Sequence, residues 1–188
     1  MRSDSEDRFR LLGLYLNDHL AGAYGGAELA RRIADRQQDG DRADELRRLA
    51  TDVAADREQL LRLMRTLGVP VRRYRQWLGV AGERIGRVKL NGRLLQRSPL
   101  SDLLELEAMR IGIEGKIGLW RSLRRLGSEE GLLAAAALDR LTDRALAQAA
   151  LVESCHASVS AALFPPETAP PERAGQPAHH GAGRLRHA

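Results

Sequence analysis

The chain of 188 residues has a single cysteine, Cys155. One thiol cannot form an intramolecular bridge, so a disulfide framework is excluded and any core must be held by burial. Lysine is nearly missing. Only Lys89 and Lys116 occur, and the rest of the 30 Lys+Arg residues are arginine. With abundant Ala, Leu and Gly, this skew reads as GC-rich codon usage. It weakens the net charge of +5 as a sign of a nucleic-acid partner. No run of about 18 apolar residues occurs, so no membrane-spanning helix is expected. The opening MRSDSEDRFR is charged and lacks an apolar h-region, so no secretory signal is expected, and with a single cysteine a cytoplasmic location is the default. GxGxxG and Walker patterns are missing too. Gly112, Gly115 and Gly118 lie inside a helical pattern rather than after a strand, so they are no phosphate loop. Cys155 and His156 are neighbours in sequence, but on a helix they point about 100° apart and make no nucleophile–base pair.

Proline is confined. Pro70 and Pro99 bracket a central connector, and the other five lie in FPPETAPPERAGQPAHHGAGRLRHA, from Phe164 onward. That tail, 164–188, has no apolar periodicity and is expected to be disordered. Between Met1 and Leu163 the pattern is helical. A first helix is expected from a Ser3–Glu6 capping box to about Gln38, with Gly40 as stop and Asp41 as the next N-cap. A second runs from about Arg42 to Leu67 and stops at GVP. A third opens with Ser98 as N-cap and Pro99 at its first turn, and ends at Gly127. A fourth begins by Ala136 and ends near Leu163. The first and last connections are short and imply antiparallel hairpins. The middle one, about 68–98, is long for a bundle.

Helical periodicity then places the side chains. On the first helix His19 falls inside the apolar arc, whereas Asn17 and Asp18 project toward water. On the second, Leu46, Leu49, Val53, Leu60, Met64 and Leu67 form the arc, with Arg57 in its middle and Asp56 at its edge. The third carries a stripe of Leu103, Glu107, Arg110, Glu114, Ile117 and Arg121. It is flanked by Leu100, Leu104 and Ile111 on one side and by Leu106, Ile113 and Trp120 on the other. The fourth presents Leu138, Leu141, Ala145, Ala149, Val152 and His156, with Glu153 beside them. Inward charges are tolerated only if paired or metal-bound.

The two hairpins, the long crossover and the carboxylates on the third helix resemble the ferritin-like superfamily, over about Ser3 to Leu163. The resemblance implies an all-α, ferritin-like four-helix bundle. Its di-iron members take one Glu from each of two helices and a Glu-x-x-His from each of the others. Glu153 to His156 matches that motif on the fourth helix, and Glu114 or Glu107 matches the lone Glu of the third. The first helix supplies His19 instead of Glu, and the second has Asp56 and Arg57 instead of Glu-x-x-His. The leading expectation is therefore a metal-free central network of His19, Asp56, Arg57, Glu107, Arg110, Glu114 and His156. In it Arg57 bridges Glu107 and Glu114. That makes the chain a non-catalytic, self-associating (homodimeric) scaffold or interaction module. The alternative is an iron or manganese oxidase with His19, Glu107, Glu114, Glu153 and His156 as ligands. A small-ligand pocket between helices is a further use of the same residues.

The connector holds Arg72, Arg73, Arg75, Arg84, Arg87, Lys89, Arg93 and Arg97 against Glu83 alone, with Tyr74 and Trp77 interleaved. Such a segment either grips an anionic partner (nucleic acid or membrane surface) or presents a solvated basic face above a short packed helix. One more feature calls for a neighbour. Gly22 and Gly26 on the first helix, and Ala108, Gly112 and Gly115 on the third, are small residues at helical spacing. Each helix glycine costs about 1 kcal/mol relative to alanine, so a close contact, within the bundle or between two copies, is expected to offset it.

Overall fold

The computed structural model describes residues 2–37, 40–72, 99–130 and 134–165, which form four helices and, among them, no strand. They are α1 (Arg2–Arg36), α2 (Ala43–Thr66), α3 (Pro99–Glu130) and α4 (Ala135–Leu163). None of them is long and apolar enough to cross a membrane. The helices lie where apolar periodicity places them, and the ends shift by a few residues, as helix ends do. Ser3 lies within α1 rather than at its cap, α2 is preceded by Arg42 without a side-chain cap, and α3 continues past Gly127. Most connector and tail residues lie outside the described set, among them Arg73, Arg75, Trp77, Arg84, Arg87 and Lys89.

Each helix contributes one apolar stripe to a shared core. Leu16 and Leu20 of α1, Leu60 and Met64 of α2, Ile113, Trp120 and Leu123 of α3, and Leu138 and Val152 of α4 are all but fully buried. Each such side chain contributes about 1.5–3 kcal/mol of burial. α1 packs on α2 and on α3, and α4 packs on α3 and less extensively on α2. Cross-helix contacts fix the directions. Tyr15 meets Ser122 while Arg36 meets Asp102 and Glu105, so α3 runs antiparallel to α1. Arg110 meets Glu153 and Arg124 meets Asp139, so α4 runs back along α3. Arg42, at the start of α2, donates to Ser154 near the end of α4.

The exit of α2 is built with care. Gly68 adopts φ +67, the left-handed conformation that L side chains avoid. Its N–H donates to the Arg65 carbonyl at 3.1 Å, and the Val69 N–H donates to the Met64 carbonyl at 2.9 Å. These are the two bonds of a Schellman end, and they turn Val69 into the core. Asn17 then clasps the outgoing chain. Its amide donates to the Gly13 and Pro70 carbonyls at 2.7 and 3.1 Å, and its oxygen accepts the Arg72 N–H at 2.8 Å. The expectation that Asn17 projects toward water is corrected. A two-ended amide satisfies backbone groups that helix α2 no longer can. Gly68→Ala should cost about 1–2 kcal/mol through the left-handed backbone alone. A lower urea midpoint at unchanged m-value would show it.

Candidate functional site: a buried charged cluster

Asp56 is the one carboxylate buried in the core of the described residues, only 2% exposed. It sits on α2 in step with Val53 and Leu60, both buried, so the helix aims it inward. Three side chains from two other helices meet it. Lys116 of α3 donates to Asp56 Oδ2 at 2.6 Å. Gln148 of α4 donates to the same oxygen at 3.2 Å, and its own oxygen accepts from Lys116. The Arg144 guanidinium, one turn earlier on α4, takes Asp56 Oδ1. The carboxylate is thus saturated by one amide and two cations, in charge-assisted bonds of the stronger kind. Burial pushes the Lys116 ammonium below the ordinary lysine range, against the pull of Asp56, while Arg144 pushes it the same way as burial. The cluster therefore ties α2, α3 and α4 at a single level of the bundle.

The network expected from sequence is distributed differently. Asp56 is its centre rather than its edge. Arg57 does not bridge Glu107 and Glu114. It bonds the neighbouring Glu58 at 2.7 Å and stacks over the Tyr24 ring at 4.9 Å. Positions 56 and 57 point about 100° apart, and only one of them can face the core. Glu107, Arg110, Glu114, Glu153 and His156 do come together, but on the rim between α3 and α4. There His156 meets Glu107 at 3.3 Å, and Arg110 holds both Glu114 and Glu153. All three of these glutamates are exposed. The charged stripe of α3 is therefore the solvent edge that faces α4, not the inward face. His19 stands apart on α1, edge-to-face with Tyr15 at 4.5 Å between ring centres. Burial lowers its pKa, with Asp18 opposing.

Lys116, Arg144 and Gln148 are not marked as site residues by helical periodicity alone. Lys116 lies three residues after buried Ile113 and four before buried Trp120, and Gln148 stands in the same relation to Ala145 and Val152. That placement inside an apolar stripe was the available signal.

A concavity of about 280 Å³ opens at the end of the bundle where Arg36, Arg42, Glu105, Cys155 and Ser158 converge. Four of its five charges are already engaged. Arg36 pairs with Asp102 and Glu105, and Arg42 donates to Ser154 and, at 3.7 Å, to the buried Cys155 sulfur. Among the described residues, no three His, Cys, Asp or Glu side chains converge as a ligand set. In particular His19, Glu107, Glu114, Glu153 and His156 do not form one site. No protein-family model, curated protein or solved structure matches the chain.

Two outcomes follow from the cluster. Asp56→Ala leaves two cations without their carboxylate and should cost about 3–5 kcal/mol, whereas replacing Asp56, Lys116, Arg144 and Gln148 together by Leu or Met should be neutral or stabilising by about 1–4 kcal/mol. Chemical denaturation of both variants checks this. The second concerns pH. The folded state binds the Lys116 proton less tightly than the unfolded chain does. The cost of holding it charged is therefore present below its lowered folded pKa. It is relieved as pH rises through that value toward the ordinary lysine range near 10.4. Wild-type stability should accordingly rise relative to Lys116→Met across the alkaline range, read from urea midpoints.

Proposed function

We propose that the chain is a non-catalytic, ferritin-like helical bundle that serves as a scaffold or interaction module, with a buried charged cluster where the resemblance would put a di-metal centre. The observation that carries this is the state of Asp56. A cation site needs anionic or neutral donors with lone pairs to spare. Here the interior carboxylate is taken by an ammonium and a guanidinium, which are donors only and repel a metal ion. The other carboxylates of the expected ligand set lie on an exposed rim, held by Arg110 or facing His156. The residues present do not fit a di-iron centre, and no chemical step is routed through one.

The ferritin-like arrangement is supported by the ends of the helices. Pro70 and Arg72, just past α2, sit beside Asn17 toward the start of α1, while Asp102, at the start of α3, sits beside Arg36 at the end of α1. The chain thus leaves α2 at one end of the bundle and enters α3 at the other, as a long crossover between two hairpins requires. A cluster that fixes the register of three helices suits a rigid body whose work is done on its surface. Elemental analysis of protein purified without a polyhistidine tag tests the proposal. The expected result is iron and manganese far below one per chain, with a melting temperature indifferent to chelator. Stoichiometric iron or manganese would overturn it.

A further inference from the structure

α3 has two apolar sides, and the bundle covers only one. Leu106, Met109, Ile113, Ile117 and Trp120 are buried. On the opposite side Leu100, Leu104 and Ile111 are 47%, 38% and 73% exposed. From Leu104 the uncovered side continues as Ala108, Ile111, Gly115, Gly118 and Ser122, spaced four and three residues apart. That is the seam spacing of a helix that packs along another helix, and it holds no charged side chain for about 27 Å. The glycines are not explained from within. A methyl group added at Gly112, Gly115 or Gly118, or at Gly22, Gly25 or Gly26 of the adjoining α1, would meet no described atom within 4 Å.

The order of large and small residues along the seam identifies what covers it. A two-fold axis at the level of Ile113 relates positions equally far to either side. It sets Ile111 against Gly115 of a second copy, Ala108 against Gly118, and Leu104 against Ser122. Every bulky side chain then meets a small one, and each match occurs twice. Such self-complementarity defines an isologous contact. The charged flank agrees. Along one side of the seam run Glu107, Glu114 and Arg121. In an antiparallel pair Glu107 faces Arg121 of the second copy, and Arg121 has no ionic partner among the described residues of its own chain. Glu114 faces its own copy across the axis, and each is already paired with its Arg110 at 3.2 Å. Beyond Ser122, exposed Leu11 and Tyr15 of α1 widen the floor that receives Leu104, with the Tyr15 hydroxyl donating to Ser122 at 3.4 Å.

We propose that the partner of this surface is a second copy of the chain, docked α3 to α3 in antiparallel register about Ile113. The inference rests on reading the chain as an interaction module. It is tested on the full chain by sedimentation velocity and cross-linking. At about 50 µM the wild type should be a dimer and Ile111→Arg a monomer, a loss of at least tenfold in affinity. The helical circular dichroism should not change, because Ile111 is exposed, while the melting temperature should fall and lose its dependence on protein concentration as the dimer's contribution is removed. Glu107→Arg should weaken the dimer, and adding Arg121→Glu should restore it. Under mild oxidation Ala108→Cys mixed with Gly118→Cys should cross-link. Neither should do so alone, since the two positions are about 15 Å apart along the helix. A monomeric wild type would overturn the proposal, as would a dimer indifferent to Ile111→Arg or cross-linking of Ala108→Cys by itself. Metal content is read separately, so a failed dimer and a failed bundle reading are told apart.

Discussion

A single carboxylate governs the interior. Once Asp56 is carried inside by the stripe it shares with Val53 and Leu60, it must be ionised among partners or left at a cost of several kcal/mol. Lys116, Arg144 and Gln148 supply those partners from α3 and α4, and each can reach only if its helix stands at one height and one rotation. Apolar positions tolerate other residues of similar volume, whereas this set of bonds has one solution. Desolvating the charges offsets most of what their pairing gains, so the cluster adds little net stability. Its effect is to select a register. α1 contributes nothing to it, and α1 is instead located by the Asn17 clasp on the exit of α2 and by Arg36 on Glu105.

Register in the core decides what appears outside. With Lys116 turned toward Asp56, α3 is held so that Ile113 and Trp120 face in, the glutamate–arginine stripe faces α4, and Leu104 and Ile111 face out. One fixed rotation thus settles a buried ion cluster, an exposed ionic rim and an uncovered apolar seam together. A rotation of α3 by one residue, about 100°, would bury the glutamates and disperse the seam. The charged rim is also the least informative of the three. Exposed pairs such as Arg110 with Glu153 contribute between nothing and about 1 kcal/mol, so the rim follows the packing rather than directing it.

Much of the fold was legible because helices announce themselves by period. The four elements, the hairpins and most buried positions follow from apolar spacing. The site was less so. A lone Lys or Gln within an apolar stripe resembles a tolerated impurity until its partners on other helices are known, and those contacts span 32 to 92 positions in sequence. Inward glutamates were expected on α3 because its charged stripe lies between two apolar flanks, and either flank can be the core. Only the position of α4 breaks that tie. Periodicity leaves Asn17 solvated for a similar reason: its partners, Pro70 and Arg72, belong to another element's end.

The glycines pose the problem of balance most sharply. Gly22, Gly25, Gly26, Gly112, Gly115 and Gly118 lie in helix interiors, where each costs about 0.5–1 kcal/mol relative to alanine. None gains a close contact among the described residues in return. Six such positions amount to roughly 3–6 kcal/mol, against a typical domain stability of about 5–15 kcal/mol. A chain that bore this as a monomer would be giving up a large share of its stability for nothing. In the proposed dimer, Gly115 and Gly118 would admit Ile111 and Ala108 of the second copy more closely than alanine would, and part of the lost helix propensity would return as contact. A feature that is a defect in one copy would then be a recess where the two proposed copies meet.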